Sequence, residues 1–192
     1  MDLKNGLGHL SYSTLVHAGD TWAEMNASLR EFVPQVKKRI SPDEPFAVSL
    51  RISAASAKTL TDSPAERASL AAFLAKEDLY VYTVNAFPYG PFKGDIVMER
   101  VYEPDWTTDD RVNYTNSVAD ILAEISPADV NPSIQTAPLA FKPNVADEAY
   151  VKTYTRNVFR VVKHLLELEE RTGSRVKLAI EPEPACYLET TD

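Results

Sequence analysis

Two hydrophobic periods alternate along this chain. The runs PFAVSLRIS (45–53), LYVYTVNAF (79–87) and VKLAIEP (176–182) are short, apolar and rich in β-branched or aromatic residues, which predicts buried strands. LGHLSYSTLVH (7–17) alternates more loosely and predicts a first strand, and VNPSIQTAPLAF (130–141) predicts a fourth, centred on 133–137. Between them the period becomes helical. Trp22, Met25, Leu29, Phe32, Val33, Val36 and Ile40 recur every three or four residues, behind a capping-box pair Thr21 and Glu24 beside Asp20. Pro34 predicts a kink in that helix. AASAKTL suggests a short helix. A longer one follows, with Ser63 as cap, Pro64 at the first position and Glu66 closing the box. Val112, Val118, Ile121, Leu122 and Ile125 share one face of a helix beginning near Thr108. A last helix over about 147–171 carries Tyr154, Val158, Phe159, Val161, Val162, Leu165 and Leu166, with Gly173 as its C-cap.

The order is therefore β-α-β-α-β-α-β-α-β, the signature of a parallel sheet with crossover helices. Two architectures compete, an open doubly wound sheet and a β/α barrel. Polar and aromatic residues gather after most strands: Tyr12 and His17, Arg51, Asn85 and Tyr89, Thr136 and Lys142, Glu181 and Glu183. In a barrel these positions share the carboxyl-terminal face, where active sites sit. The expected fold is thus α/β, the first five strands and four helical connections of an incomplete (β/α)8 TIM barrel, with 1–192 as part of one domain. A complete barrel takes about 250 residues, so three strand–helix units, roughly 120 residues, are expected elsewhere in a longer protein or from another copy.

Composition narrows the function classes. Twenty basic against 28 acidic residues give a net charge of −8. That disfavours nucleic acid and anionic membranes as partners and suits a cytoplasmic protein, possible homo-oligomers included. No apolar run reaches the roughly 20 residues of a bilayer span, so direct membrane insertion is not expected. The single Cys186 excludes an internal disulfide and a cysteine zinc cluster. No Gly-x-Gly-x-x-Gly or phosphate loop follows a strand.

The candidate chemistry lies at the strand ends. Glu181 and Glu183 sit between Pro182 and Pro184, which fix the local backbone. A carboxylate leaving a buried parallel strand is a ligand for a divalent metal, Mg, Mn, Co or Zn, or else a salt-bridge partner for a residue such as Arg51. His17 is a candidate acid/base or metal ligand, or a structural loop histidine. Asn85 suits a substrate hydroxyl, and Lys142 an anionic group. The segment 86–106 lacks periodicity and is rich in aromatics, among them Phe87, Tyr89, Phe92, Tyr102 and Trp106. It predicts either an aromatic wall for a ring-shaped substrate or a satellite hydrophobic cluster. Cys186, His9 and His164 read as structural.

The segments VHAGDTWAE, PFAVSLRISA, NAFPYGPFKG, PLAFKP and LAIEPEPACYLETTD together resemble the metabolite traffic protein EboE family. That family looks like a branch of the xylose-isomerase-like TIM barrels, the sugar phosphate isomerase/epimerase superfamily. The resemblance implies a small polyhydroxylated or cyclic metabolite and partners in a metabolite-export pathway. It also implies a metal ligand at Glu181, the position of a metal-binding Glu at the end of strand five. Xylose isomerases proper carry Glu-Pro-Lys-Pro there. Glu183 replaces that lysine, which disfavours a hydride shift and leaves proton transfer assisted by His17 and Glu183. Tyr12, Arg51, Asn85, Phe87, Tyr89 and Lys142 are the expected substrate contacts. The competing expectation is a non-catalytic metabolite carrier; a DNA-repair nuclease of the same barrel type fits the charge poorly.

Overall fold

The structure is a computed structural model and describes residues 1–90 and 101–190. Its centre is a five-stranded sheet, parallel throughout, whose spatial order follows the chain: β1 (Ser11–Ser13), β2 (Phe46–Arg51), β3 (Leu79–Asn85), β4 (Ser133–Thr136) and β5 (Lys177–Ile180). The helices are α1 (Trp22–Ile40), α2 (Ala54–Asp62), α3 (Pro64–Lys76), α4 (Asp109–Ile125) and α5 (Glu148–Thr172). Each strand pairs with the next in sequence. Right-handed crossovers between such neighbours put all the connecting helices on one face, whereas a doubly wound sheet needs a reversal of strand order. The helices also pack in chain order, α1 on α2, α2 on α3 and α4, and α4 on α5.

The local signals explain the boundaries. Thr21 accepts from Glu24 N–H while the Glu24 carboxylate accepts from Thr21 N–H at 3.0 Å, a complete capping box. α1 runs through Pro34 to Ile40. Ser63 ends α2 and caps α3, but the expected box closes only halfway. The Glu66 carboxylate instead accepts from Trp22 Nε1 at 2.9 Å and ties α3 to α1. α5 starts at the Asp147 cap and ends at Gly173, whose φ of +75° is the left-handed C-cap that favours glycine. The first strand is shorter than its sequence pattern. Residues 7–10 belong to an N-terminal hairpin closed by an Asp2–His9 bridge, in which His9 Nδ1 meets Tyr80 OH at 2.8 Å.

The core lies between sheet and helices. Phe46, Val48, Leu50 and Ile52 from the β2 segment join Leu79, Val81, Val84 and Ala86 from the β3 segment and Ile134 of β4. α4 is buried most deeply; Arg111, Val118, Ala119 and Leu122 have no exposed surface. Fully burying each Val or Leu contributes about 1.5–3 kcal/mol. Two apolar predictions end differently. On α5, Phe159 and Leu166 are 66% and 58% exposed, and on α1 Ile40 is 58% exposed. These side chains turn away from the core that Tyr154, Val161, Leu165 and Leu168 enter.

Among the described residues β1 and β5 each pair with one neighbour, so both outer edges carry unpaired backbone groups. Together with the Phe159–Leu166 stripe this predicts self-association of the polypeptide. Sedimentation velocity is expected to show mass rising with concentration, and a Phe159→Glu, Leu166→Lys double variant to reduce it; a concentration-independent monomer contradicts the prediction.

Candidate functional site

The face of the sheet away from the helices is polar. Register aligns Ser13, Ser49, Thr83, Ser133 and Lys177 across all five strands. Thr83 and Ser133 share a hydrogen bond of 2.9 Å. Two residues further on, toward the carboxyl ends, the aligned residues are Arg51, Asn85, Gln135 and Ala179. A register shift after Val48 creates this arrangement. Val48 pairs with Val81 but Ser49 pairs with Thr83, so Tyr82 is an extra residue on β3. The bulge reverses the parity of the strand. Val81 and Val84 both enter the core, while Thr83 and Asn85 turn to the polar face.

Glu181 follows β5, its N–H donating to Thr136 O at 3.2 Å. Its Oε2 accepts a short hydrogen bond from Gln135 Nε2. Gln135 Oε1 in turn accepts from Asn85 Nδ2 at 2.8 Å, and Asn85 Oδ1 from Phe87 N–H at 3.4 Å. Among the described residues Glu181 has no cationic partner, and its Oε1 takes no hydrogen bond. The salt bridge to Arg51 that the sequence allows is not formed. Arg51 is buried and pairs with Asp20 at 2.8 Å, while also donating to Gly19 O at 2.6 Å and Gly90 O at 2.9 Å. It braces the loops after β1 and β3.

Glu183 stands apart from this row. Its Oε2 accepts from Tyr102 OH at 2.7 Å. Tyr102 is the middle ring of a stack, with Phe87 at 5.7 Å and Phe141 at 5.3 Å. The aromatic wall thus consists of Phe87, Tyr102 and Phe141. Tyr89 lies edge-on to Tyr114 at 5.2 Å, with the Arg111 guanidinium 5.8 Å from its ring, and its carbonyl accepts from Ala54 N–H. Phe92, also expected in the wall, lies outside the described residues. Lys142 pairs with Glu189 at 2.7 Å.

His17 and Tyr12 are not brought to Glu181. Tyr12 OH meets His17 Nε2 at 2.9 Å, and the imidazole lies edge-on to Phe32 of α1 at 5.3 Å. Tyr12 pairs with Val48, a core residue, so it points to the helix side. β1 is also four strand spacings from β5, about 19 Å along the sheet.

Sequence reading missed Gln135 by one residue. It singled out Thr136, which has the parity of Ile134 and is wholly buried. Strict alternation from Ile134 was the signal that could have found Gln135. It also missed two clamps. Arg111 Nη1 donates to Ala86 O at 3.2 Å and Phe87 O at 2.9 Å, and Trp106 Nε1 donates to Ala137 O at 3.1 Å. Arg111 holds the chain leaving β3 against α4 and so fixes the backbone beside Asn85, while Trp106, in the segment before α4, holds the chain leaving β4.

As to a metal, Glu181 fits as one oxygen ligand, since its charge is uncompensated and one oxygen is open. The described residues hold no group of three or more His, Cys, Asp or Glu that completes a metal site. The histidines and the second glutamate are committed elsewhere.

Burial raises the Cys186 thiol, and burial followed by the Glu183 contact raises the Tyr102 phenol. Burial, then neighbouring Tyr187, pushes Tyr154 up to about 12. Groups raised in the fold hold their protons more tightly than in the unfolded chain. Their contribution is complete below the unfolded values, about 8.5 for thiol and 10 for phenol, and is lost as pH climbs through the folded ones. Urea midpoints are expected to be level with respect to these groups up to about pH 8 and to fall between about pH 9 and 12. A midpoint unchanged to the top of that range contradicts the assignment. Comparison of the chain with known protein families, with curated proteins and with solved structures finds no match in any of the three.

Proposed function

We propose that this chain supplies the first five strands of an isomerase- or epimerase-like TIM barrel of the EboE type, binding a small polyhydroxylated or cyclic metabolite at the carboxyl ends of its strands. The observation that carries this reading is the row Asn85–Gln135–Glu181, three polar side chains from three adjacent parallel strands, ending in a carboxylate with no cationic partner among the described residues. The sequential strand order supports the barrel, because closing such a sheet keeps all helices outside. The sequence resemblance supports the family.

Glu181 is proposed as one ligand of a divalent metal, Mg, Mn, Co or Zn, the other ligands lying beyond the described residues. Such an ion would polarise a carbonyl or hydroxyl of the metabolite. Asn85, bonded to Gln135 and Phe87, would serve the metabolite's hydroxyl groups by orienting the row rather than by direct contact, and the Phe87–Tyr102–Phe141 stack would offer an apolar border. Proton transfer by Glu183 requires it to leave Tyr102. His17 would have to act on the helix side or after rearrangement. Cytoplasmic placement and partners in metabolite export belong to the same proposal; no described helix is long and apolar enough to cross a membrane.

A specific observation favours the second reading, a carrier that binds the metabolite without turnover: the two expected proton-transfer residues are bonded away from the Asn85–Gln135–Glu181 row, Glu183 to Tyr102 and His17 to Tyr12. Calorimetric titration with Mn(II), Co(II) and Zn(II), followed by sugar phosphates and cyclitols with and without chelator, separates the two. The enzyme reading expects metal binding that Glu181→Ala weakens at least about tenfold. Metabolite binding indifferent to chelator, with no turnover, supports the carrier. The absence of both metal and metabolite binding overturns the proposal.

A further inference from the structure

We infer that Gln135 is a positioning residue for Glu181 and that Asn85 sets its orientation, the two amides forming a relay of one polarity. The inference rests on the reading of Glu181 as the functional carboxylate.

The two ends of the relay fix its polarity. At one end is the Phe87 backbone N–H, which can only donate. At the other is the Glu181 carboxylate, which when ionised can only accept. Each amide between them carries one accepting and one donating group. Only one arrangement satisfies every contact. Phe87 N–H donates to Asn85 Oδ1, Asn85 Nδ2 to Gln135 Oε1, and Gln135 Nε2 to Glu181 Oε2. Turning either amide over sets oxygen against oxygen and nitrogen against nitrogen. Asn85 is only 5% exposed, so water has little room to repair such a mismatch.

The ends are themselves held. Arg111 donates to the carbonyl of Phe87 at 2.9 Å, and Glu181 N–H is bonded to β4. The consequence for the site is directional. One carboxylate oxygen is occupied by Gln135 and the other stays open, so a cation or hydroxyl donor is received at Oε1. Gln135 touches no ligand in this role. It acts by holding the carboxylate plane, as outer hydrogen bonds do for metal-binding carboxylates.

Two readouts on the whole chain test the relay. In metal-free protein, nitrogen–proton NMR should show one Gln135 side-chain amide proton shifted downfield and slow to exchange. The Gln135 amide signals should move in Glu181→Ala and in Asn85→Asp, where a second acceptor-only group competes for the Gln135 amide. In the second readout, Mn(II) affinity should fall about 10- to 100-fold in Gln135→Met and in Asn85→Leu, with circular dichroism unchanged. Wild-type signals of a free, rapidly exchanging amide overturn the inference whether or not any variant folds. Folded variants with wild-type Mn(II) affinity overturn it as well. If the wild type binds no Mn(II), the metal reading fails and the NMR result alone judges the relay.

Discussion

The extra residue at Tyr82 is the constraint on which the polar face depends. Side chains on a strand alternate strictly, so without the bulge Val84 would leave the core and Asn85 would enter it. With it, β3 contributes Leu79 and Val81 to the core near its start, Val84 near its end, and still presents Asn85 opposite Arg51 and Gln135. A single irregularity therefore serves both packing and site. The N-terminal hairpin lies against the same region, its His9 ring 4.9 Å from the Tyr82 ring and its His9 carbonyl accepting from Tyr82 OH.

From that register the rest of the site follows by neighbour contacts. Asn85 reaches Gln135 on the adjacent strand, and Gln135 reaches diagonally to Glu181, two residues beyond its register partner Ala179. Among the described residues Glu181 is left without a cationic partner. Arg51 is consumed by Asp20, Lys142 by Glu189, and Glu183 by Tyr102. Small residues, Ser13, Ser49, Ser133 and Ala179, leave the face uncrowded. The side chains that fill the space between strands and helices are large and apolar, so the two faces of one sheet do different work.

The loops after the strands are held by donors from the helix layer. Arg111 reaches three carbonyls, those of Pro104, Ala86 and Phe87, from a position with no exposed surface. A buried guanidinium is costly unless it is hydrogen-bonded, and these bonds meet that cost in part while fixing the backbone that anchors the amide relay. Arg51 does the same for the loops carrying Gly19 and Gly90. Packing of α4 and positioning of the polar row are thus mechanically linked.

Sequence alone determined the order and type of the elements, because hydrophobic period, caps and glycine stops are local signals. The Thr21–Glu24 box, the Ser63 cap and Gly173 all appear where those signals put them. It also marked Glu181 and Asn85, since polar residues at the ends of apolar runs stand out. Only the tertiary structure decided which of these meet. The bulge at Tyr82 leaves no trace in the hydrophobic pattern, so the parity that brings Asn85 to Gln135 was not readable, and Thr136 was marked in place of Gln135. Likewise the turn after β1 carries His17 to the α1 side, and long-range partners claim Arg51, Lys142 and Glu183. Such pairings span tens of residues of chain, and their choice is made by register and packing rather than by any local pattern.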